Sequence, residues 1–134
     1  MVKFNVKVKK VVKETPDIVS VYLDMENTNF EYQPGQFVML ILDVQDPKGN
    51  KRPFSIASSP TEKELLLIAS KITGTPYKQK LANLKPGDQV TIDGPYGLLR
   101  LQEDYSQKAI MLAGGIGITT LRCFIKYTTD KKLP

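Results

Sequence analysis

Arg52-Pro53-Phe54-Ser55 sets a guanidinium, an aromatic ring and a hydroxyl within four consecutive residues. Arg52 is one of three arginines in a chain whose other cations are lysines. A guanidinium presents a planar fork of donors that can hold an anion through two bonds, a task lysine performs poorly. Each of the three groups also has a plain use: an exposed strand arginine, a core ring, a strand serine bonded to backbone. A second candidate is Gly114-Gly115-Ile116-Gly117-Ile118-Thr119, between an apolar run (Lys108–Ala113) and a helical pattern. Glycines there let backbone approach a phosphate, and a helix N-terminus adds amide donors and partial positive charge. The same glycines also serve tight strand–helix packing.

Other chemistries are excluded by what the chain lacks. It has no histidine and a single cysteine, Cys123. His-dependent triads, His acid–base catalysis, Cys-based metal sites and an internal disulfide are therefore out. Cys123 is expected to be a buried packing thiol. The net charge is +5, but Lys3, Lys7, Lys9, Lys10 and Lys13 intersperse with valines as a solvated strand face does. No nucleic-acid partner is expected. No apolar run approaches the roughly 20 residues of a membrane span, and Met1–Lys10 is no signal peptide. The cytoplasm is the expected compartment.

The elements that must carry these groups are mostly strands. At 134 residues the chain is about one domain, able to bury roughly two-thirds of its surface. Phe4, Val6 and Val8 alternate with polar residues at the period of a half-buried strand, and adjacent Val11 and Val12 break that phase as a bulge would. Further strands are expected at Ile18–Asp24, Phe37–Asp43, around Arg52, at Glu64–Lys71 and at Gln89–Asp93. Pro53 has no amide to give, so its strand should border an edge or gap. Tyr77, Leu81 and Leu84 recur at helical spacing after Pro76, predicting one short helix. About six antiparallel strands with one helix indicate a mainly β protein, a small closed barrel. After about Gln107 the pattern changes. Lys108–Ala113 reads as a parallel strand buried on both faces, followed by the glycine turn and a helix burying Leu121, Phe124, Ile125 and Thr128.

These pieces resemble, over nearly the whole chain, the ferredoxin–NADP reductase (flavodoxin reductase-like) superfamily. Arg52–Ser58 ("RPFSIAS") is similar to its flavin-binding R-x-[Y/F]-S signature. "LKPGD" (Leu84–Asp88), "GPYG" (Gly94–Gly97) and "LAGGIGIT" (Leu112–Thr119) resemble its later landmarks, in the same order. The resemblance implies a six-stranded Greek-key flavin barrel over 1–104, followed by a truncated α/β NAD(P)-binding segment over 105–134. It implies FAD in preference to FMN, NADH or NADPH as donor, and a small-molecule or protein electron acceptor. Arg52 would then fork onto flavin phosphate oxygens, Phe54 would lie against the isoalloxazine, and Ser55, the catalytic candidate, would stand near flavin N5. Phenylalanine replaces the tyrosine common at that position and lacks its phenol. Ser70, Lys71 and Ile72 match the strand whose main chain meets the flavin's polar edge. Gly74, Thr75 and Lys78 are candidates for the phosphate site at the short helix, Thr75 by its hydroxyl or Lys78 by its charge. Gly114, Gly115, Gly117 and Thr119 would take the pyridine nucleotide, with Thr119 capping the helix and Thr120 where proline is usual.

A second reading within redox chemistry is a flavin-carrying electron-transfer subunit like that of dihydroorotate dehydrogenase complexes; a reading of another class is a non-enzymatic barrel that binds ligand or RNA. The sequence stops where the loop to a second nucleotide-domain strand should begin, so slow reduction by NAD(P)H is expected of it. The unflanked strand at Lys108–Ala113 further predicts a homodimer or swapped assembly through residues after Gly97, or disorder there.

Overall fold

A computed structural model describes residues 2–134. Six strands form one antiparallel sheet: β1 (Val2–Thr15), β2 (Ile18–Asp24), β3 (Phe37–Ile41), β4 (Lys51–Ser55), β5 (Leu65–Lys71) and β6 (Gln89–Tyr96). Their order across the sheet is β4-β3-β6-β1-β2-β5, with every paired neighbour antiparallel. The period-2 pattern does the work. Val21 faces Ile68, Leu23 faces Leu66 and Leu40 faces Ile92 across neighbouring strands, and all six are fully buried. The lysines of β1 point outward. Its irregularities fall between Val8 and Lys10 and between Lys13 and Thr15, so they flank the Val11–Val12 pair rather than sit on it.

The sheet curls until its two edges, β4 and β5, approach one another. Just beyond β4 they are stitched: the Ala57 amide donates to the Leu67 carbonyl at 2.8 Å, and the Leu67 amide donates to Ser58 Oγ at 3.0 Å. Ser58 Oγ also meets the Tyr32 hydroxyl at 3.0 Å. Alongside Pro53–Ser55 no ladder joins β4 to β5, and the seam opens. Proline on this edge strand costs no hydrogen bond there.

Helix α1 (Pro76–Ala82) starts at Thr75, whose hydroxyl accepts the Lys78 amide at 3.3 Å. It drives Tyr77 and Leu81 into the core, where the Tyr77 hydroxyl donates to the Leu40 carbonyl at 2.8 Å.

The last third departs from expectation. Lys108–Ala113 is no strand: it has no ladder, and Ile110 and Leu112 are 88% and 90% exposed. An extended segment needs a neighbour for its amides and carbonyls, and no described strand lies beside it. A 3₁₀ turn (Gly115–Gly117) leads into α2 (Ile118–Asp130). The helix cap is Gly117, not Thr119, whose hydroxyl instead donates to the Ile116 carbonyl at 3.0 Å. The buried residues of α2 are Thr119, Cys123 and Phe124, while Ile125 faces out at 54% exposure. The buried stripe is rotated from the expected one because α2 packs on the barrel, with Phe124 against the turn at Gly35, and not on a parallel sheet. No helix among the described residues is long and apolar enough to cross a membrane.

Candidate functional site

The open seam holds a cavity of about 270 Å³. Pro53, Phe54 and Ser55 line it from β4, and Ala69, Ser70 and Lys71 from β5. Lys78 enters from α1, and Ile116, Gly117 and Thr119 close it from the start of α2. Residues far apart in sequence thus meet where two strand edges separate. Of the other candidates, Arg52, Ile72, Gly74, Thr75, Gly114 and Gly115 lie outside this lining. A larger hollow of about 550 Å³, between the 25–32 segment and the 60–65 turn, contains none of the candidates.

Phe54 is both core and wall. It is 7% exposed, lies nearly parallel to the Tyr77 ring at 6.3 Å, and borders the cavity. The Lys78 ammonium stands 4.9 Å from the Phe54 centroid and donates to Ser70 Oγ. Burial, with Arg52 nearby, depresses the Lys78 pKa. Among the described residues Lys78 has no carboxylate partner, and the Ser55 hydroxyl makes no hydrogen bond. An ammonium without a carboxylate partner and an unbonded hydroxyl among the described residues, lining one cavity with an apolar ring, suit a ligand with a flat aromatic part and anionic or polar edges. The β5 edge adds seam-facing amides and carbonyls. FAD fits that donor set.

Arg52 is organised otherwise than the sequence suggests. Its Nη2 donates to Asp46 Oδ1 at 2.8 Å, and its Nη1 donates to the carbonyls of Lys48, Gly49 and Lys51 at 2.7–2.9 Å. The guanidinium also stacks 4.9 Å from the Tyr77 centroid. Asp46 accepts the Tyr77 and Lys48 amides, which with Arg52 hold its carboxyl below the usual carboxylate range. Arg52 therefore fixes the β3–β4 hairpin and, through Asp46, the first turn of α1. A phosphate at Arg52 would share or replace these bonds. Sequence reasoning missed Asp46, Tyr77 and Ile116 as neighbours of the site. Only Asp46, in the turn-rich Asp46–Asn50 stretch shortly before the lone strand arginine, carried a signal that could have been used.

The remaining candidates are scattered. Ile72 is half-buried against the core and its amide donates to the Asp17 carbonyl at 2.7 Å. Lys71, which lines the seam cavity, also pairs with Asp17 at 3.5 Å. Gly74 and Gly114 have open space around them, and Gly115 borders a separate apolar groove of about 350 Å³ between β2, β5 and α2. The Cys123 thiol is fully buried and its pKa is pushed up to about 11 by that burial, as a packing thiol should be.

Comparison with known proteins gives the family. The chain is 30% identical over 131 residues to the glycine betaine monooxygenase reductase subunit of Chromohalobacter salexigens, covering 96% of this chain and 35% of that protein. It is 37% identical over 105 residues to a probable dihydroorotate dehydrogenase B (NAD(+)) electron transfer subunit of Thermococcus kodakarensis, covering 78% and 40%. The chain thus spans well under half the length of these curated relatives. Among solved structures, phthalate dioxygenase reductase shares the fold, with a TM-score of 0.79 at 22% identity over 98% of this chain and 41% of that one. The model of the oxidoreductase FAD-binding domain matches residues 3–101, which take in the sheet from Lys3 onward with both seam strands, and the chain belongs to that family.

Proposed function

We propose that this chain carries FAD at the β4–β5 seam and serves as the flavin-binding part of a reductase that moves electrons from NAD(P)H to an acceptor. The observation behind this is the seam cavity, which gathers Phe54, Ser55, Ser70, Lys78, Gly117 and Thr119 in one place. FAD, when bound, supplies the redox chemistry. The chain's own groups would do the rest. Phe54 would present its ring face, Ser55 would offer a hydroxyl to the ring's polar edge, and Lys78 would offset negative charge. Arg52 would reach phosphate oxygens from the hairpin it orders. Gly114–Gly117 and the start of α2 would meet the pyridine nucleotide beside the same cavity. The acceptor is proposed to be a protein or small molecule, the electron-transfer subunit relative favouring a protein.

Titration of the purified chain with FAD tests this directly. The expected result is a saturable change in the flavin absorption bands at equimolar ratio. A colourless protein that leaves the FAD spectrum unchanged would return the fold to the non-enzymatic binding module.

The homodimer drawn from an edge strand at Lys108–Ala113 loses that premise, since no strand forms there. What supports self-association now is the exposed apolar set Leu98, Leu99, Ile110 and Leu112. Light scattering should report twice the monomer mass, and a monomer at all concentrations removes the proposal.

A further inference from the structure

The connector at 102–110 is exposed throughout, so α2 is held in place by what it touches and not by its leash. One contact is apolar: Cys123 and Phe124 are buried, with the Phe124 ring against the Gly35 turn. The other is polar. Arg122 Nη1 and Nη2 donate to the two carboxylate oxygens of Glu62 at 2.8 and 3.0 Å. Nη1 also donates to the Ala57 carbonyl at 2.8 Å. Glu62 is fixed in turn, accepting the Ser59 amide at 2.8 Å. Near the end of the helix the Thr61 hydroxyl donates to Asp130 Oδ2 at 2.5 Å.

An apolar contact lets a helix slide or rotate, whereas a two-bond fork fixes both. Ala57 lies two residues beyond Ser55 and is stitched across the seam to Leu67. Thr119 lies one helical turn before Arg122. The fork therefore ties the β4 wall of the seam cavity to the wall made by α2. We infer that Arg122 and Glu62 form a latch that positions Ile116, Gly117 and Thr119 over the cavity, a deepening that rests on the flavin reading. Arg122 is a positioning residue, since it does not line that cavity. With the latch closed, Ile116 and Thr119 cover the cavity; with it open, α2 is left on its Cys123–Phe124 contact and the distal Thr61–Asp130 bond, its first turn is released, and water enters.

The test uses the full chain with Arg122→Ala, Glu62→Ala, the double variant and Glu62→Gln. Without flavin, amide hydrogen exchange over 117–123 should accelerate on the order of tenfold in either single alanine variant, and no further in the double. Amides of β2 and β5 should keep their parental rates. With FAD bound, the fine structure of its absorption bands should blur in both single variants and return largely in Glu62→Gln, which keeps an acceptor for Arg122 and Ser59. Exchange at the parental rate, or acceleration spread evenly over the barrel, overturns the latch. If an alanine variant does not fold, Arg122→Lys gives the same comparison, since it keeps the charge but not the two-bond fork. A parent that takes up no FAD defeats the flavin reading alone, and the exchange measurement still decides whether the latch exists.

Discussion

Arg52→Ala should weaken FAD binding by about 1.5–3 kcal/mol, a rise in Kd of about 10- to 150-fold, the range for losing a hydrogen bond to a charged group. Two routes lead to that loss. The first is direct, through a guanidinium that no longer meets a phosphate oxygen. The second runs through the hairpin, because Arg52 Nη1 gathers the carbonyls of Lys48, Gly49 and Lys51 and Nη2 holds Asp46. Asp46 in turn accepts the Tyr77 amide, and Tyr77 backs Phe54, a wall of the cavity. Asp46→Asn separates the routes. It weakens the hairpin contact but leaves the guanidinium free to bind phosphate. If the direct route dominates, Asp46→Asn binds FAD nearly as tightly as the parent while Arg52→Ala does not. If the hairpin route dominates, the two variants lose similar affinity. An Arg52→Ala protein with parental affinity in the same FAD titration removes Arg52 from the site on either route.

The barrel was readable because its residues state their own environment. Alternation in β1 and the doubly apolar β3 follow from pleat and burial, and Pro53 marked an edge because proline cannot complete a ladder. Phe54, Ser55, Ser70 and Lys78 could be chosen by resemblance and do meet in space. What sequence could not show was which contacts a long side chain selects. Arg52 looked like a free donor but is engaged by its own hairpin, and the turn chemistry of Asp46–Asn50 marks a hairpin without saying that its aspartate would take the guanidinium. Nor could periodicity show what α2 packs against. Ile125 fits an apolar stripe as well as Cys123 does, and only the barrel surface decides between them. Lys108–Ala113 failed for a related reason. Its composition suits a buried strand, but strands exist only in pairs, and pairing is a property of neighbours rather than of the segment.

Gly35→Ala should cost about 2–4 kcal/mol of stability, concentrated where the C-terminal segment meets the barrel. Gly35 has φ +96°, a conformation L residues rarely adopt. A Cβ there would also lie 2.5 Å from the Leu99 carbonyl oxygen and 3.1 Å from the tip of the Phe124 ring. The ring can shift, but the carbonyl belongs to backbone and must carry its segment with it. The variant should therefore push out both Leu99 and α2, uncover the cavity wall at Ile116 and Thr119, and speed protease cleavage over 98–114 while the sheet stays folded. Gly49→Ala is the control. Gly49 also has positive φ, +82°, but nothing lies within 4 Å of its added Cβ. It should lose only the backbone strain, about 1 kcal/mol. Urea unfolding of the two variants isolates the steric part as their difference. If Gly35→Ala and Gly49→Ala unfold within about 0.5 kcal/mol of each other, an ordinary surface effect, the close approach of Leu99 to the Gly35 turn contributes nothing and α2 is held by other contacts.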